Sequence, residues 1–227
     1  MLTSQTSPNK LHHTKEEYVY NTLRAAIMRC ELKPDEKLVM DRLSVELDVS
    51  PIPIRGALQR LQAEGLVEIT PHTGAVVSSI SPDTIDEIFL LLEALESNAF
   101  IVAAQKATEA DIEYVESLVD DMEQALEAND TDLWSELNNQ FHLTVARITT
   151  MKMLFEFTSR VLDSWDRLRR YYLQPFLTLR INEAQAEHRQ MIELLKQRDA
   201  DGLSKIAVQH NRQARKLYHE SHSLEFT

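Results

Sequence analysis

Val49-Ser50-Pro51-Ile52-Pro53-Ile54-Arg55-Gly56-Ala57-Leu58-Gln59-Arg60-Leu61-Gln62-Ala63-Glu64-Gly65-Leu66-Val67 decides the fold. Ser50 is a favourable helix cap, and Pro51 and Pro53 fall in the first turn, where a missing N–H costs nothing. Ile54, Leu58 and Leu61 recur at helical spacing, so a buried stripe is expected over about Pro51 to Glu64. Gly65 stops the helix. Downstream, Leu66-Val67-Glu68-Ile69-Thr70 and Ala75-Val76-Val77-Ser78 are short runs rich in β-branched residues. Pro71-His72-Thr73-Gly74 separates them with turn chemistry, which predicts a β-hairpin.

Two further helices are expected upstream. One runs from about Lys15 to Cys30, with Val19, Leu23, Ala26 and Ile27 on one face. The other runs from about Met40 to Leu47, with Leu43 and Leu47 one turn apart. Three helices, a tight turn between the second and third, and then a hairpin make a winged helix-turn-helix over residues 14–79.

Beyond it the pattern is helical throughout. Ser81 and Pro82 read as the cap and first residue of a long helix carrying Ile85, Ile88, Phe89, Leu92, Leu95 and Ala99. Further helices are expected over Thr108–Ala128, Thr131–Thr149, Met151–Leu173 (ended by Pro175), Leu179–Arg198 and Gly202–Tyr218. The fold class is therefore mainly α: the winged domain, then an all-α antiparallel helical bundle over residues 80–222. Residues 1–13 read as a disordered tail with no secretory signal.

The chain has 227 residues, 43% of them hydrophobic, enough for two cores. No window reaches the roughly 18 apolar residues that a membrane span needs, so no membrane partner is expected. A single cysteine, Cys30, excludes an internal disulfide and suits a cytoplasmic protein. The net charge is −12, which argues against nonspecific nucleic-acid binding. The acid is concentrated late: residues 1–80 hold nine Lys/Arg and ten Asp/Glu, and the remainder hold fifteen and twenty-six. Affinity for DNA depends on the local field rather than on this total.

In a recognition helix, side chains near the N-terminus read bases in the major groove. Here those are Ser50, Pro51, Ile52, Arg55 and Gln59. Arg55 suits a guanine edge or a phosphate; its other reading is a surface residue paired with Glu64 or Asp48. In the wing, His72, Thr73 and the backbone at Gly74 are positioned to touch a minor groove or a phosphate.

The segment Leu32-Lys33-Pro34-Asp35-Glu36-Lys37-Leu38, with Leu43-Ser44, the opening stretch and Gly74-Ala75-Val76-Val77, resembles the GntR family of transcription regulators. The C-terminal region, through Asn138-x-x-Phe141-His142, Glu187-His188, Asp199 and His210, is similar to the FCD ligand-binding domain of its FadR-like subgroup. The resemblance implies a homodimeric regulator, most often a repressor, that binds double-stranded operator DNA and answers to a small-molecule effector. It implies a divalent metal on Asn138, His142, His188 and His210; three imidazoles suit zinc or nickel. The other reading of these histidines is a polar core satisfied by hydrogen bonds.

Several positions depart from the family pattern. Pro51-Ile52 replaces its usual Arg-Thr, and Gly56 its Glu. Asp41 stands where an arginine is usual, with Arg42 next to it. Asn138 replaces the more usual aspartate. Leu92 replaces an arginine four residues before Glu96, the natural partner of an organic-acid effector; Arg160 and Ser164 are the remaining candidates for that role. Two other function classes compete with the regulator: a metal-dependent enzyme, for which no general base stands at motif spacing, and a helical interaction module with a vestigial DNA domain.

Overall fold

A computed structural model describes residues 14–70, 74–173 and 180–225. The expected tail, His72 and Thr73 of the wing, and Pro175 lie outside the described residues. The chain divides into two compact units, one reaching to Ile80 and the other starting at Ser81.

The first unit holds α1 (Lys15–Met28), β1 (Lys37–Leu38), α2 (Met40–Leu47), α3 (Pro51–Ala63), β2 (Val67–Thr70) and β3 (Gly74–Val77). Thr14 caps α1 by accepting from the Glu17 amide. Asp48 closes α2 in the left-handed region (φ 52°), which turns the chain sharply into α3. Ser50 occupies the N-cap of α3, but its side chain makes no capping hydrogen bond. Gly65, at φ 77°, turns the chain from α3 into β2, a conformation that costs glycine little. Val19, Leu23, Ile27, Ile54, Leu58 and Leu61 are buried together with Val67 and Val77. Each such side chain is worth about 1.5–3 kcal/mol when removed from water.

The sheet has three strands in the order β1-β3-β2, all antiparallel. The hairpin β2–β3 pairs Val67 with Val77 and Thr70 with Gly74. The strand β1 is not expected from the sequence; it contributes only Lys37 and Leu38, opposite Val76 and Ala75. Two residues are too few to show alternation.

The second unit opens with a 3-10 turn, Pro82–Thr84, where a regular helix start is expected. Ser81 Oγ accepts from the Asp83 amide, and Thr84 Oγ1 donates to the Ser81 carbonyl. Then come α4 (Ile85–Lys106), α5 (Glu109–Glu127), α6 (Thr131–Ile148), α7 (Lys152–Leu168), α8 (Ile181–Lys196) and α9 (Ala200–Glu225). The fourth bundle helix does not continue as α-helix to Leu173. From Arg169 to Leu173 it widens into a single π turn, a device often found at functional sites.

α5 begins with a complete capping box, Thr108 and Asp111 exchanging side-chain and backbone bonds at 3.1 and 2.9 Å. α4 packs against α9, α7 and α6, and α5 against α6 and α8. The core between them includes Phe100, Phe141, Met122, Met191 and Ile192. No helix among the described residues is long and apolar enough to cross a membrane.

Candidate functional site

In the first unit, α3 buries Ile54, Ala57, Leu58 and Leu61 and turns Ile52, Arg55 and Gln59 outward. Arg55 forms no ion pair among the described residues. Its suggested acidic partner Glu64 is engaged elsewhere, accepting from Tyr20 Oη at 2.6 Å and Arg24 Nε at 3.3 Å. Arg60 lies over the Tyr20 ring, 3.8 Å from its centroid. Arg42 is exposed and paired with Glu46 one turn along α2, at 3.0 Å. Gly74 lies exposed at the start of β3. Tyr20, Arg24 and Glu64 thus fasten α1 to the end of α3 and leave the outer face of α3 unencumbered.

In the second unit, α6, α8 and α9 bring His142, His188 and His210 together. One nitrogen from each lies within 4.8 Å of the others. Their ring centroids are 4.9–5.5 Å apart. His188 is fully buried, and neither of its nitrogens has a hydrogen-bond partner. Its ring packs on Phe141 and on Trp134, whose Nε1 donates to Gln185 Oε1 at 3.0 Å. Asn138, one turn before His142, has a buried side-chain oxygen that is equally unpartnered.

The other two histidines are held from behind by carboxylates. His210 Nδ1 lies 2.6 Å from Glu187 Oε2. An ionised carboxylate can only accept, so the ring proton belongs on Nδ1 and the Nε2 lone pair is free. Glu187 also accepts from Arg180 Nη2 at 2.5 Å, and Arg180 donates to Gln213 at 3.1 Å. Glu187 is thus buried between His210 and Arg180. His142 Nδ1 lies 3.1 Å from Glu96 Oε1, within ion-pair reach but off hydrogen-bond alignment. Asn211 Nδ2 holds the other Glu96 oxygen at 2.7 Å. Burial, followed by the repulsion of neighbouring histidines, holds His188 well below the ordinary histidine range, and burial with His142 and Arg180 does the same to His210. Both are therefore neutral at pH 7, the form that offers a lone pair.

These groups border a cavity of about 60 Å3. Asn138, His142, His210 and Glu96 form part of its wall. Phe89, Leu92, Leu162, Trp165 and Tyr218 supply an apolar side, and Arg169 and Arg180 supply positive charge. Arg169 is 2% exposed. Its Nη2 donates to Asp166 Oδ1 at 2.7 Å, while its Nη1 is buried with no partner. Arg170 Nε shares the same aspartate at 3.0 Å.

Arg160 and Ser164 do not line this cavity. They lie on the exposed outer face of α7, where the Ser164 hydroxyl donates back to the Arg160 carbonyl at 3.0 Å. The cavity's cations are instead Arg180 and Arg169, which follows Thr158, Leu162 and Trp165 on the buried face of α7 where the helix passes into the π turn. The sequence holds one sign of it: Asp166 stands three and four residues before Arg169 and Arg170. Asp199, part of the sequence resemblance, is a cap, accepting from the Gly202 amide at 2.9 Å.

Known proteins show the same division of labour. Residues 15–77 match the model of the bacterial regulatory proteins of the gntR family, and residues 87–213 match the FCD domain. The chain is 25% identical over 213 residues to the HTH-type transcriptional repressor RspR of Escherichia coli K12, covering 92% of this chain and 90% of the relative. It is 25% identical over 187 residues to the E. coli HTH-type transcriptional regulator McbR, covering 81% and 83%. The solved structure of E. coli McbR/YncC superposes with a TM-score of 0.78 at 21% identity, covering 92% of this chain and 99% of that one. With a gntR-type winged helix followed by an FCD domain that spans more than half its length, the chain belongs to the GntR family of transcription regulators and is not an enzyme.

Proposed function

We propose that this regulator is a homodimeric repressor whose helical domain holds one divalent metal, zinc or nickel, on His142, His188 and His210 with Asn138, and takes a small organic acid beside it. The observation that carries this reading is a group of unpartnered, buried polar atoms: the nitrogens of His188, which lies against His142 and His210, and Asn138 Oδ1 and Arg169 Nη1, whose residues line one cavity with those two histidines. A purely structural polar core would have to satisfy these groups, because leaving each one bare costs about 1–3 kcal/mol. A cation would use one nitrogen of each histidine and the amide oxygen. Glu187 and Glu96 behind two of the rings are the supports that ligating histidines ordinarily have. When bound, the metal would supply a Lewis-acid position for an oxygen of the effector.

Arg169 supports an acid as the effector. Leu92 removes the expected arginine from α4, but a guanidinium with an open N–H faces the same cavity from another element. The repressor assignment follows the name of RspR. The homodimer follows from the small contact that one helix-turn-helix makes with DNA.

The test is metal analysis of chelator-stripped and refilled protein, with gel shifts on a selected operator. The expected result is about one metal per chain, strongly reduced in His188→Ala, and DNA binding that an effector alters only in the loaded protein. Wild-type protein that takes up no stoichiometric metal would overturn the metal centre. The second readout is sedimentation: a chain that stays monomeric at micromolar concentration is not the dimer proposed.

A further inference from the structure

Val45 and Ile52 are the most exposed large apolar side chains among the described residues, at 83% and 81%. Both belong to the α2–α3 pair. Single exposed aliphatics are ordinary on protein surfaces, so their position is what matters. Ile52 is the second residue of α3 and lies in the turn before Arg55, on the outward face that also carries Gln59. The first turn of this helix is the part that enters a major groove.

That turn is built from Pro51, Ile52 and Pro53. None of these side chains donates or accepts a hydrogen bond, and the prolines have no N–H. It therefore cannot read base edges as a polar first turn would. The prolines fix the backbone, and a β-branched side chain on a helix has few rotamers. Ile52 is thus a stiff apolar knob. In the major groove the apolar group that a base edge presents is the thymine C5-methyl.

We propose that Ile52 selects thymine through its methyl group, by van der Waals contact, while Arg55 supplies the charged anchor one turn along. This rests on the reading of the chain as an operator-binding regulator. Exclusion of water between the isoleucine and the methyl would favour thymine over any base that lacks the methyl group.

The experiment uses full-length protein and a duplex enriched from a random pool. Each thymine of one half-site is replaced singly by deoxyuridine, which removes only the methyl. The wild type should lose about fourfold in affinity at one or more positions, the worth of one buried methyl group. Ile52→Ala should bind more weakly overall and show no further loss at those positions. Arg55→Ala should also bind more weakly but keep the thymine-to-uracil loss. At 81% exposure, Ile52→Ala should melt at the wild-type temperature. Wild-type binding indifferent to every deoxyuridine, or an Ile52→Ala protein that keeps the full loss, overturns the proposal while the regulator reading stands. A pool that enriches no sequence at all defeats the regulator reading and this one together.

Discussion

Arg55 stands on the outward face of α3 with no acidic partner among the described residues, while Glu64 is occupied by Tyr20 and Arg24. A guanidinium left free in this way is available to DNA without first breaking an ion pair. Arg55→Ala should therefore weaken operator binding by about 1–3 kcal/mol, the worth of a bidentate base contact. Calorimetry should show an unchanged melting temperature, since the residue is off the buried stripe; unchanged operator affinity would reduce Arg55 to a surface residue. At the metal site, Asn138 offers a neutral oxygen where a carboxylate would add charge, so Asn138→Asp should lower the dissociation constant for zinc in competition with a chromophoric chelator. Equal or weaker binding would exclude Asn138 as a ligand. The three histidines and Asn138 are legible from their spacing and the family resemblance. The roles of Arg169 and Glu187 are not, although both follow the buried period of their helices, with Leu162 and Trp165 on α7 and with Ala184 and Met191 on α8: a charged residue on such a face shows its use only when its partners, Asp166, Arg180 and His210, are in place. Arg160 and Ser164 are one turn apart as expected, but they lie on the exposed outer face of α7.

Elements with strong periodicity stand where the sequence predicts them. α2 matches to the residue, and α3 and α5 match to within one or two residues at each end. α9 runs on to Glu225, past the end expected at Tyr218; the misses of backbone type are short or irregular: two-residue β1, the 3-10 entry at Pro82, and the π exit of α7. In each, a tertiary contact or a local hydrogen bond decides the backbone, and neither leaves a repeating signal. Gly56 tests the balance within α3. A Cβ there would lie 2.4 Å from the Glu16 side-chain tip, a flexible group on α1 that can swing toward solvent. Helix propensity favours alanine over glycine by about 1 kcal/mol. Gly56→Ala should therefore stabilise the winged domain by up to about 1 kcal/mol, read from chemical unfolding followed by far-ultraviolet circular dichroism. A loss of more than that would mean that Glu16 is held in place and that the glycine is required by packing.

At the scale of the molecule, the two units allow their stabilities to be measured apart. Both tryptophans, Trp134 and Trp165, belong to the helical domain, so their fluorescence follows that domain's unfolding alone. Its pH dependence should come first from the buried histidines. His188 and His210 sit well below the usual histidine value of 6.5 when folded, chiefly through burial. In the unfolded chain they return to about that value. Below it the unfolded state binds protons that the folded state refuses, so stability must fall as the pH drops. The slope is up to about 1.4 kcal/mol per pH unit for each histidine, for as long as the pH stays above its folded value. Carboxylates whose pKa values are lowered in the fold, Glu93 by Arg212 and Asp111 by Thr108, begin to cost stability only near and below 4.5 and 3.8. The window between about pH 6.5 and 5 therefore isolates the histidines. Urea unfolding of chelator-stripped protein, followed by tryptophan fluorescence, should show steadily falling stability across that window. His188→Leu, which replaces a buried imidazole with an apolar side chain, should remove roughly half of the slope. A stripped wild type equally stable at about pH 7 and pH 5 would mean that His188 and His210 take up protons in the folded state, and the neutral form of these two rings on which the metal centre depends would be lost with it.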